Sequence, residues 1–103
     1  MEITNLTPNV GELSKEGEQY HYNLGTIAQG TPVTFILRIE NQLINMTQYG
    51  CQSCTTGSIK NERMSSKQLV TYDSAQFGEF QKPINIHFMN SEMIQLIFKG
   101  TSS

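Results

Sequence analysis

The sequence predicts an all-β fold, an antiparallel sandwich of about seven short strands. Three observations carry the prediction. Pro32 to Asn41, PVTFILRIEN, alternates Val33, Phe35, Leu37 and Ile39 with Thr34, Ile36, Arg38 and Glu40. That period of two marks a strand with one face in a core. Turn-forming residues recur about every 8–12 positions, the spacing of short strands in a sandwich. No stretch carries a convincing helical period, and no internal repeat or linker divides residues 1–103, so one domain is the economical reading.

In chain order, Glu2 to Leu6 suits a short edge strand. Pro8 to Gly17, rich in Gly, Glu and Asn, reads as a loop. Glu18 to Leu24 alternates around Tyr20 and Tyr22, and Gly25 to Gly30 turns the chain into the central strand. Pro32 suits a strand start, where a missing N–H does least harm. Ile36 interrupts the polar side of that strand, which predicts a partly covered outer face. Leu43 to Tyr49 is a weaker strand, and Gly50 to Gly57 reads as a loop holding both cysteines. Ser58 to Arg63 is a faint strand. Lys67 to Asp73 is a clearer one, with Gln68, Val70 and Tyr72 on one side and Leu69 and Thr71 on the other. Ser74 to Phe80 connects onward, with a strand start at Gly78. Pro83 to Met89 turns Ile84, Ile86 and Phe88 inward and Asn85 and His87 outward. Met93 to Lys99 turns Ile94, Leu96 and Phe98 inward. The short loop Asn90-Ser91-Glu92 makes these two runs the best hairpin in the chain.

Composition narrows the function. The 103 residues carry a net charge of −2, and the seven basic residues are scattered, with Lys60, Arg63 and Lys67 the nearest approach to a patch. Nucleic-acid binding calls for a denser basic footprint. The opening MEITNLTPNV has neither a basic nor an apolar leader region, so a cytoplasmic origin is expected. No apolar run approaches the ~20 residues of a membrane helix.

Cys51-Gln52-Ser53-Cys54 is the one motif that invites chemistry. A Cys-x-x-Cys pair is a redox couple where a helix N-terminus or a cation lowers one thiol's pKa. Here Gly50 precedes it, Thr-Thr-Gly follows, and neither flank is helical. Free thiols and a small loop disulfide are the two plainer readings. A zinc set would need Cys51, Cys54, His21 and His87, whose spacing is not that of a zinc finger. Asp73 is the only aspartate, and no nucleophile elbow or Gly-rich phosphate loop is present. No catalytic, metal or cofactor-binding residue is therefore assigned. Tyr20, Tyr49, Ile36 and Ile97 are the candidate interface residues: the tyrosines because Tyr is favoured at interfaces, the isoleucines because they interrupt polar strand faces.

Leu24-Gly25-Thr26-Ile27, Gly30, Val33, Leu37, Ile39 and Asn41 form one ordered set of landmarks. Cys54-Thr55-Thr56, Val70-Thr71-Tyr72-Asp73, Gly78, Phe80, Lys82, Ile84, Ile86, Asn90, Leu96 and Gly100 continue it. Together, from about Tyr20 to Gly100, they resemble a bacterial family of unknown function related to the ASPM–SPD-2–Hydin domains. The resemblance implies an Ig-like fold and carries no catalytic residues. Two positions depart from its pattern: Leu43 stands where a glycine is usual, and two residues rather than one separate the cysteines.

The expectation is thus a non-enzymatic structural or interaction protein. By analogy with small Ig-like parts of phage heads and tails, the particular reading is a bacteriophage virion component (head decoration, neck or tail joining) that contacts capsid or tail proteins. The alternatives are a cellular Ig-like adaptor for a protein or glycan, and a Cys-x-x-Cys redox or zinc protein.

Overall fold

The computed structural model describes all residues, Met1–Ser103. Nine strands run through the chain: β1 (Ile3–Asn5), β2 (Glu12–Glu16), β3 (Gln19–Ile27), β4 (Val33–Glu40), β5 (Ile44–Tyr49), β6 (Thr55–Glu62), β7 (Ser65–Tyr72), β8 (Gly78–Phe88) and β9 (Met93–Ser102). In β4 the alternation read from the sequence is realised: Phe35, Leu37 and Ile39 are buried, while Thr34 is exposed and Ile36 half-buried. Asn41 ends that strand with a positive φ of 59°, which asparagine tolerates better than most residues.

The strands form two sheets, ordered β1-β4-β7-β6 and β2-β3-β9-β8-β5. Tyr22 of β3 stacks on Phe35 of β4 across the gap, with ring centroids 4.1 Å apart. Phe98 of β9 meets Phe35 at 5.9 Å and Tyr72 of β7 edge-on at 5.0 Å. The two sheets thus close on one core, a single cluster of 15 buried residues.

Five features differ from the sequence reading. There are nine strands rather than about seven. β2 lies inside the expected loop Pro8 to Gly17; its only apolar residue is Leu13, so it shows no hydrophobic alternation. Its turn is made at Gly17, where φ is 62° and a side chain would be strained. β6 begins at Thr55, within the expected cysteine loop, because Thr55 to Gly57 pair with Val70 to Tyr72. The arrangement is also not wholly antiparallel, since β3 pairs with β9 in parallel. A parallel pair needs a long crossover, and everything from β4 to β8 supplies it.

Pro83 sits mid-strand in β8 rather than at a strand start. It is tolerated because it lies just beyond the last paired residue of β5, Tyr49, which faces Ile84. Its carbonyl still accepts from the Gly50 N–H at 2.9 Å. Any Cβ on Gly50 would lie 2.7 Å from the proline ring, so the two residues belong together.

A polar seam joins the free edges of β5 and β6. Gln68 of β7 is wholly buried. Its Oε1 accepts from Thr47 Oγ1 at 2.6 Å, and its Nε2 donates to the Tyr49 hydroxyl at 2.9 Å and the Leu69 carbonyl at 3.0 Å. Farther along, the Asn61 side chain exchanges two 3.0 Å bonds with the backbone of Ile44. These contacts satisfy groups that would otherwise be orphaned between the sheets.

Burial pushes the Tyr49 phenol above its ordinary 10.0, and the Gln68 hydrogen bond pulls part of the way back. The fold therefore favours the neutral phenol. That contribution is complete below the unfolded value near 10 and is lost as pH rises through the higher folded value. Denaturant midpoints at about pH 9 and about pH 11 should fall more in the native chain than in Tyr49→Phe. Equal falls would remove Tyr49 as the source.

Candidate functional site

The strand register determines what each outer face presents. On the β1-β4-β7-β6 sheet, Ile36 of β4 faces Leu69 of β7, which faces Ser58 of β6. One pleat away, Arg38 faces Lys67, which faces Lys60. On the other side Thr34, Thr71 and Thr56 form a row, with Thr34 and Thr71 hydroxyls 2.9 Å apart. Ile36 and Leu69 are both half-buried at the centre of this face. The Leu6 N–H donates to the Ile36 carbonyl at 3.0 Å, which brings an exposed leucine to the same side of the sheet.

The basic row is partly compensated. Arg38 Nε lies 2.7 Å from Glu40 Oε1, and Lys67 Nζ lies 3.3 Å from Glu62 Oε1. The Lys67 hydrogen bond and the Lys67 charge hold the Glu62 carboxyl below its ordinary value, with lesser help from Lys60 and Arg38. Three like charges directly opposed cost stability on their own, so the row is a feature that the fold carries rather than needs. Sequence reading grouped Lys60 and Lys67 with Arg63; the sheet pairs them with Arg38 instead, a neighbour only through strand register.

The β2-β3-β9-β8-β5 sheet presents a different surface. Ile97 stands at its centre, half-buried between Pro83 and His21. Around it run amides: Gln19 donates to Gln95, and Gln95 to Asn85 at 3.3 Å. His21, buried on this outer face, has its Nε2 3.4 Å from Glu16.

Two of the interface candidates belong elsewhere. Tyr20 points into the core and is buried there, with the Lys15 ammonium 5.4 Å from its ring centroid. Tyr49 is half-buried with its hydroxyl turned into the seam toward Gln68, not outward as an anchor. Tyr20 shares strand phase with buried Tyr22 and Leu24, whereas Tyr49 faces inward because a bulge between Ile44 and Met46 shifts the phase of β5. Ile36 and Ile97 do lie on outer faces.

Cys51 and Cys54 form a disulfide, with Cα atoms 5.5 Å apart, and no cysteine is free. The bridge sits in the β5–β6 loop, with Cys54 packed against the core and its carbonyl accepting from the Asp73 N–H at 2.9 Å. Closing so short a loop stabilises by at most ~2 kcal/mol. An open cavity of about 360 Å³ beside it is lined by Tyr72, Phe77 and Phe80, with Glu79 and Lys82 as its two charged residues. No three of the His, Cys, Asp and Glu side chains converge closely enough to share a metal, so the set Cys51, Cys54, His21 and His87 is not brought together.

No family model matches the chain, and no curated protein is similar to it. The site must be read from its own residues.

Proposed function

We propose that the protein is a non-enzymatic interaction protein with an Ig-like sandwich, and that it serves as a repeated structural part of a bacteriophage particle. It binds protein partners through the outer face of the β1-β4-β7-β6 sheet. The observation that carries this reading is the opposed pair Ile36 and Leu69 at the centre of that face. A solvated sheet face has no use for two branched apolar side chains placed together, whereas a covered one gains from burying them. The threonine row on one side and the Arg38–Lys67–Lys60 row on the other supply a polar rim, the usual anatomy of a protein interface. Two of those three cations are already paired with glutamates, and the chain is net acidic, which favours a protein partner over nucleic acid. The two-sheet order and the landmark residues of the ASPM–SPD-2–Hydin resemblance support the Ig-like assignment. The particle assignment rests on analogy with other small sandwich proteins. A chain made in the cytoplasm and carried on the particle fits it.

Particle parts repeat, so contact between copies burying on the order of 1,000 Å² is expected. Light scattering should give the purified chain a mass that is a multiple of the monomer's. Ile36→Glu should return it to the monomer while leaving the chain folded, at a cost of about 1 kcal/mol for a half-buried strand position. A native chain that stays monomeric at high concentration would remove the self-repeating reading and leave the monomeric adaptor in its place.

A further inference from the structure

The chain has five methionines, and two of them stand directly opposite one histidine. At one end of the β2-β3-β9-β8-β5 sheet, Met46 of β5 is directly opposite His87 of β8, and His87 is directly opposite Met93 of β9. Directly opposed residues of antiparallel strands project to the same face. His87 is on the outer face, because Ile86 and Phe88 on either side of it are buried. The three side chains therefore stand in a row on the outside of the sheet, with the imidazole in the middle. Met89, two residues beyond His87, adds a further thioether where β8 turns. Met46 is 45% exposed, Met93 52% and Met89 60%. A single exposed methionine needs no explanation. Two flanking one imidazole on neighbouring strands form a donor set.

We propose that Met46, His87 and Met93 bind a soft monovalent cation, Cu(I). Thioether sulfur selects Cu(I) over harder cations, and imidazole suits copper as well. Strands in a sheet lie about 4.8 Å apart, so the two methionines start about 10 Å from each other with His87 midway. Methionine has three rotatable bonds beyond its backbone, enough to swing both sulfurs toward the ring. The histidine is already set for ligation. Its Nε2 lies 2.8 Å from Gln48 Oε1, an atom that can only accept. That bond suits the tautomer with its proton on Nε2, which leaves the Nδ1 lone pair for a metal. An outer hydrogen bond that orients the ring and chooses its tautomer is the usual support of a ligating histidine. The absence of any convergent group of carboxylates and thiolates leaves calcium, magnesium and zinc without a comparable set.

The test is anaerobic titration of the full chain against the coloured Cu(I)–bicinchoninate complex, kept reduced with ascorbate. It is run on the Cys51→Ser/Cys54→Ser chain so that no thiol competes. It is repeated on the disulfide-intact chain after a thiol assay confirms that the bridge has stayed closed, which serves if the serine chain folds poorly. The expected result is withdrawal of a single Cu(I) per chain. Met46→Leu with Met93→Leu, and separately His87→Gln, should weaken binding at least about tenfold, the lower end of what losing even a supporting group costs a metal site. Leucine keeps the apolar area and removes only the sulfur. Leucine variants that bind as the parent does would overturn the proposal, as would a complex that keeps its colour. In that event the methionines serve as an apolar contact surface instead.

Discussion

Phe35→Ala is expected to remove about 3–5 kcal/mol of folding stability, the range for truncating a buried phenylalanine. Phe35 has no exposed surface and sits where the two sheets meet. It stacks on Tyr22 at 4.1 Å and touches Phe98 at 5.9 Å, so one ring joins β4 to both β3 and β9. Its removal takes away the transfer energy of the ring and leaves a cavity that rigid strands cannot close. The Tyr22 hydroxyl is held by hydrogen bonds with Asn5 Oδ1 and Thr7 Oγ1, both at 2.9 Å, so the tyrosine cannot readily slide into the gap. A domain of this size has a total stability of about 5–15 kcal/mol, so the loss is a large share of it. The melting temperature should fall by more than about 12 °C. Thr34→Ala, one residue away on the exposed side, removes only a surface hydroxyl contact and should cost about 1 kcal/mol or less. Calorimetry on the two variants checks the contrast, and equal losses would contradict the placement of the core.

Gln68→Leu should destabilise by about 2–3 kcal/mol, although it replaces a buried amide with an apolar side chain of similar size. Burial of leucine is favourable in itself, so the sign depends on what is left behind. Thr47 Oγ1 loses its acceptor, while the Tyr49 hydroxyl and the Leu69 carbonyl lose a donor. Leaving partners unpaired costs more than the amide's own desolvation returns. A double-mutant cycle with Thr47→Val, read from urea midpoints, isolates the pair. The coupling should lie between about 0.5 and 3 kcal/mol, because the two groups belong to one network. Additive losses would show that the seam is not a network.

The strands with strict alternation were readable from the sequence because one face of each is apolar. β4, β7 and the β8–β9 hairpin are of this kind, including the turn at Asn90 and Ser91, where Ser91 has a φ of 71°. β2 was not readable, because an edge strand of Glu, Ser and Lys around one leucine shows no alternation, and its pairing with β3 is supplied by the backbone. Gln68 was placed on the same side as Val70 and Tyr72, yet only the fold shows that this side is the core and that Thr47 and Tyr49 wait there. Arg38 lies far along the chain from Lys60 and Lys67 and joins them in a row only through register. In the same way, Met46 joins His87 and Met93 only through the pairing of β5 with β8. In each case the chemistry depends on which residues oppose one another, and that pairing is a property of several strands at once.

By itself the chain determined that it is built of strands, where the central strand and the last hairpin fall, and that Ile36 and Ile97 face outward. Those properties are local, because a period of two is written in neighbouring residues. The tertiary structure alone decided the parallel pairing of β3 with β9, the bulged pairing of β5 with β8 that turns Tyr49 inward, and the pairings that bring Arg38 and Met46 into their rows. These depend on contacts between distant segments, and alternation states which face a residue takes without stating what it meets there.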